Sequence, residues 1–72
     1  MLIEFTQDVS IWVKRPNQFE GILENFFKGE KLLADCIDYY TSKDVVDINL
    51  ASGADLYAVP KSSFNVKDEN EN

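Results

Sequence analysis

Residues 45–66, VVDINLASGADLYAVPKSSFNV, constrain the fold more than any other stretch of this chain. Val46, Ile48 and Leu50 share one parity, while Val45, Asp47 and Asn49 share the other, the signature of a strand with one buried face. Ala51-Ser52-Gly53-Ala54-Asp55 supplies a turn, with Gly53 free to take a positive φ. The return strand is read with Leu56 and Ala58 inward and Tyr57 and Val59 outward. Pro60 cannot donate to a ladder, so it ends that strand or places it at an edge. Lys61-Ser62-Ser63 suits one helical turn, and Phe64 and Val66 a brief last strand.

The remaining segments read as material that packs on this unit. Residues 1–13 alternate from Ile3 and Phe5 to Val9, Ile11 and Val13, which predicts one strand bent or bulged near Asp8. Trp12 falls on the opposite face, as an exposed aromatic or as a ring closing the end of a small barrel. Residues 14–28 admit two readings. Phe19, Ile22, Leu23, Phe26 and Phe27 recur at helical spacing, between Pro16 and Gly29 as punctuation. Gly21, Asn17 and Asn25 oppose a helix, and the rival is a hairpin pairing residues 9–14 with 22–27. Residues 31–41 form a further strand with Leu32, Ala34 and Cys36 inward and Asp35 and Asp38 on a wet face.

Composition bounds the function. Seventy-two residues make one domain, placed at 1–67, with 68–72 as an acidic disordered tail. No apolar run approaches the ~20 residues a bilayer span needs, and Glu4 and Asp8 occupy the place of a signal peptide's basic region, so a cytoplasmic setting is expected. Cys36 is the one cysteine, which excludes an internal disulfide. There is no histidine, no carboxylate spacing that meets a metal template and no phosphate-cradling glycine loop. Neither an enzyme nor a cofactor is expected. Thirteen acids against seven bases give a net charge of −6. Asp68, Glu69 and Glu71 follow Lys67, which leaves the preceding residues ten acids, seven bases and a net of −3. Trp12, Tyr39, Tyr40, Tyr57 and Phe64 offer rings for stacking bases, but Lys14-Arg15 is the one cationic pair, so direct nucleic-acid binding is not expected.

The order strand, long excursion, three strands, helical turn and short strand resembles a Src homology 3-like small barrel. The likeness is carried by the closing segment, with Ala58, Val59, Pro60, Phe64 and Val66 in the roles of that fold's small residue, β-branched residue, proline, aromatic and valine. It implies a mainly β, five-stranded antiparallel barrel. The tryptophan that walls the polyproline groove of that fold is missing from Lys43-Asp44-Val45, and the aromatic motif from Ile3-Glu4-Phe5-Thr6, so only architecture carries over. A second resemblance covers more of the chain. MLIEFTQDV, FKGE, VVDINL and VPKSSFNV look like short bacteriophage or prophage proteins, largely uncharacterised, in which the region of residues 14–28 is variable and suggests a hairpin tip.

Two functions follow as expectations. One is a phage-type protein-interaction or accessory module, with Trp12, Tyr57, Pro60 and Phe64 as contact residues and a host or phage protein as partner. The other is an acidic inhibitor that occupies a host protein's nucleic-acid site, with Glu20, Glu24, Asp35, Asp38, Asp44 and Asp47 imitating phosphates.

Overall fold

The structure, a computed structural model, describes residues 1–39 and 44–67. Tyr40 and the tail at 68–72, expected to be disordered, lie outside the described residues. Seven strands form one antiparallel sheet: β1 (Leu2–Phe5), β2 (Val9–Lys14), β3 (Ile22–Phe26), β4 (Lys31–Tyr39), β5 (Val45–Leu50), β6 (Asp55–Pro60) and β7 (Phe64–Lys67). A 3₁₀ turn at Lys61–Ser63 separates the last two. The spatial order is β3-β2-β6-β5-β4-β1-β7.

This corrects the expectation of a closed five-stranded barrel in two places. The stretch at residues 1–13 is not one bent strand but two. Thr6 donates its N–H to the Ser63 carbonyl and its hydroxyl to the Ser62 carbonyl, while Asp8 Oδ1 accepts the Lys28 N–H at 2.9 Å. These bonds hold a corner at which the chain leaves β4 and β7 and joins β3 and β6. The excursion at residues 14–28 resolves as the hairpin, with Val9 paired to Phe26 and Val13 to Ile22. It contributes β3, which extends the sheet and leaves it open, with β3 and β7 as its edges.

One core gathers residues from all seven strands, with Ile3, Phe5, Ile11, Val13, Val46, Ile48, Leu56 and Val59 at its centre. Phe5 and Phe26 stack at 5.1 Å between ring centroids. Ser63 is buried, and its hydroxyl donates to the Pro60 carbonyl at 2.7 Å, as a buried polar group must. Gly53 closes the β5–β6 turn at φ +97°, and a Cβ there would stand 3.0 Å from Pro16 Cγ.

Two bulges overturn two inward assignments. Between Ala34 and Cys36 the β4–β5 register shifts, so Asp35 is an extra residue. Cys36, expected to be a buried small hydrophobe, is therefore exposed, and Ile37 turns toward the core instead. Between Val46 and Ile48 the β5–β6 register shifts as well. Ala58, expected inward, is exposed at φ +54°, and Val59, expected outward, is fully buried. The Ala58 N–H donates to Asp47 Oδ1 at 3.0 Å, so this carboxylate holds the bulge. Asp47 also faces Asp38 directly across the β4–β5 ladder, where like charges oppose each other. Asp47→Ala is expected to lower stability by about 1 kcal/mol in urea unfolding, through loss of the bulge bond. Asp47→Asn keeps an acceptor oxygen and removes the like charge, and is expected to cost nothing measurable.

Candidate functional site

The alternation that sends Ile11 and Val13 into the core sends Trp12 out, and the register then decides its neighbours. Trp12 stands opposite Leu23 on β3 and opposite Tyr57 on β6. Paired residues share a face, so Leu23, Trp12 and Tyr57 form one row across three strands. Their exposures are 53%, 53% and 40%.

Polar groups border the row on the β5–β4 side. The Tyr57 hydroxyl lies 3.4 Å from Asp55 Oδ2, Asn49 Nδ2 donates to Asp55 Oδ1 at 2.7 Å, and the Cys36 thiol reaches Asn49 Oδ1 at 3.0 Å. Partial desolvation and then the Asp55 and Asp47 carboxylates push the Tyr57 phenol above its ordinary range. Lys14 stands opposite Asp55 in the ladder. Toward the hairpin end, Arg15 grips Glu24 with both terminal guanidinium nitrogens, Nη1 to Oε2 and Nη2 to Oε1, the latter at 3.0 Å. That hydrogen-bonded pairing holds the Glu24 carboxyl below its usual value and raises Arg15.

Of the expected contact residues, Trp12 and Tyr57 come together. Pro60 is half-buried opposite Val45, away from this row. Phe64 pairs with Phe5 and is 8% exposed, so its ring belongs to the core and not to a surface. Spacing groups Leu23 with a helical stripe, and only the β2–β3 register reveals its place beside Trp12. The helical spacing also ran through Phe19, Ile22 and Phe27, all of which are exposed.

The carboxylates considered as phosphate imitators divide. Glu24 is engaged by Arg15 and Asp47 by the Ala58 amide, whereas Glu20, Asp35, Asp38 and Asp44 are exposed. Among the described residues, no group of three or more carboxylates and thiols is placed to hold a metal ion, and no helix is long and apolar enough to cross a membrane. Comparisons with protein-family models, curated proteins and solved structures find no match to this chain.

Proposed function

We propose that this chain is a small non-catalytic protein-interaction module whose contact centre is the Leu23–Trp12–Tyr57 row. The observation that carries the reading is the alignment of three large half-exposed apolar side chains on adjacent strands, two of them the residue types that most often anchor protein interfaces. The proposal includes the setting suggested by the sequence resemblances: a Src homology 3-like relative, modified by an added hairpin, that serves a bacteriophage as an accessory protein in the bacterial cytoplasm and binds a host or phage protein.

A second reading, the acidic inhibitor of a nucleic-acid-binding or defence protein, is supported by the exposed Asp35, Asp38 and Asp44 on and beside the β4–β5 pair. Salt and mutation separate the two. Immobilised wild-type protein is expected to retain a partner from bacterial lysate at both low and high ionic strength. Trp12→Ala, whose side chain points away from the core, is expected to keep the wild-type circular dichroism and to weaken retention at least about tenfold. Retention unchanged by Trp12→Ala but abolished by salt would replace the module reading with the inhibitor reading.

A further inference from the structure

We infer that this chain self-associates as a two-fold dimer by pairing β3 with β3 of a second copy, with the axis at Leu23. The inference is separate from the heterologous contact proposed above, because edge pairing leaves the outer face of the sheet uncovered.

The ladder shows which backbone groups are free to pair. Leu50 donates its N–H to the Ala54 carbonyl, so Ala54 directs its carbonyl at β5. Backbone direction alternates along a strand, and antiparallel pairs alternate between bonded and non-bonded sites. Asp55 and Tyr57 therefore face β2, and their partners Lys14 and Trp12 face β6. Ile11 and Val13 face β3, which assigns the backbone groups of Glu24 and Ile22 to that ladder. Leu23 and Asn25 then direct N–H and C=O at the open edge. A two-fold at Leu23 sets Leu23 against Leu23 of the second copy at a bonded site, Asn25 against its Gly21, and Ile22 against its Glu24.

Side chains and charge favour this occupant. Pairing at Leu23 joins the two apolar rows into one, running Tyr57, Trp12, Leu23 and then the same three residues of the second copy in reverse. Half-exposed Ile22 gains a neighbour on the opposite face. The hairpin carries Lys14 and Arg15 against Glu20 and Glu24 and is electrically balanced, although the whole chain is at −6. Asp35, Asp38, Asp47 and Asp55 lie on β4, β5 and β6, beyond β2 from this edge, so the acids of the two copies stay apart. The edges also differ in protection. Edge strands that avoid pairing carry lysine or proline. At the other edge, β7 ends in Lys67, ion-paired with Glu4 at 3.2 Å. β3 has neither residue, and its single charge, Glu24, is neutralised by Arg15 of its own chain.

Sedimentation equilibrium of the wild-type protein tests the inference, with L23K placing two like charges on the axis. The expected result is a concentration-dependent dimer whose dissociation constant hardly changes with salt, and an L23K monomer with wild-type circular dichroism. A second measurement stands even if L23K does not fold. At a bonded antiparallel site the Cα atoms lie about 5.5 Å apart, within disulfide reach. Leu23→Cys in a Cys36→Ser background is therefore expected to oxidise to a covalent dimer at least about tenfold faster than Leu33→Cys in the same background, a control at another exposed leucine. A wild-type protein that stays monomeric at its highest soluble concentration, or equal oxidation of the two cysteine variants, overturns the dimer.

Discussion

Phe5→Ala is expected to leave this protein without a cooperative unfolding transition, or with one so early that the chain is largely unfolded at 37 °C. Truncating a buried Phe costs about 3–5 kcal/mol. At 0.05–0.15 kcal/mol per residue, a chain of this length has roughly 4–11 kcal/mol in all. Phe5 sits where the β1–β7 part of the sheet meets the β2–β3 part. Its ring is 1% exposed, stacks on Phe26 and pairs across the ladder with Phe64. Its amide donates to the Glu30 carbonyl at 2.9 Å, and its carbonyl accepts the Gly29 N–H at 2.8 Å. The cavity would open between elements that the corner at Thr6–Asp8 holds at fixed spacing, so collapse around it is limited. Phe27→Ala, at an exposed ring, is expected to stay within about 0.5 kcal/mol of wild type. Thermal melts followed by far-ultraviolet circular dichroism check both. A Phe5→Ala midpoint within a few degrees of wild type would remove the ring from the centre of the core.

The contrast between Phe5 and Phe27 also shows where reading the chain succeeded and where it could not. Alternation placed Val46 and Ile48 inward and Trp12 outward correctly, because the extra residues of both bulges lie on β4 and β6 and leave the alternation of β5 and β2 intact. The closing elements were legible for a different reason: Pro60 has a fixed φ and no N–H to donate, and Gly53 takes the positive φ of the turn without steric cost. The excursion was not legible. Phe19, Ile22, Leu23, Phe26 and Phe27 satisfy a helical period by coincidence, and what selects the hairpin is a non-local demand, the partner that β2 needs on its free side. Phe26 alone of the five is buried, and its ring stacks on Phe5.

Bulges account for the other misreadings. An extra residue shifts every later side chain to the opposite face, and nothing in Leu32–Cys36 or Leu56–Val59 marks where the shift occurs. Cys36 came out and Val59 went in for that one reason. The candidate site was half legible on the same terms. Trp12 and Tyr57 face outward by local parity, but their adjacency and the addition of Leu23 depend on the registers of β2 with β6 and β3. Phe64 resembled a surface aromatic until its pairing with Phe5 placed it inside.

Val59→Asp turns the β6 bulge into a measurement. Alternation from Leu56 would set Val59 on the wet face, where an aspartate is harmless. In the structure Val59 is fully buried opposite Val46, which is also fully buried. The substitution forfeits about 1.5–3 kcal/mol of apolar burial. It also places a carboxylate where Val46 offers neither a hydrogen bond nor a charge, and such a group is costly enough to be expelled or to unfold its surroundings. No cooperative transition is expected at neutral pH. One residue earlier the outcome reverses. Ala58 is exposed at φ +54°, a region that asparagine tolerates better than alanine and that β-branched residues avoid. Ala58→Asn is expected to match or slightly exceed wild-type stability in urea unfolding, and Ala58→Val to fall below it. Adjacent positions with opposite tolerance to polar residues would locate the bulge in solution, and the Asp47 bond to the Ala58 amide gives the physical reason it sits there. If Val59→Asp folded while Ala58→Asn did not, β6 would be regular, with Ala58 inward and Val59 outward, while Tyr57, which precedes the extra residue, would keep its place beside Trp12.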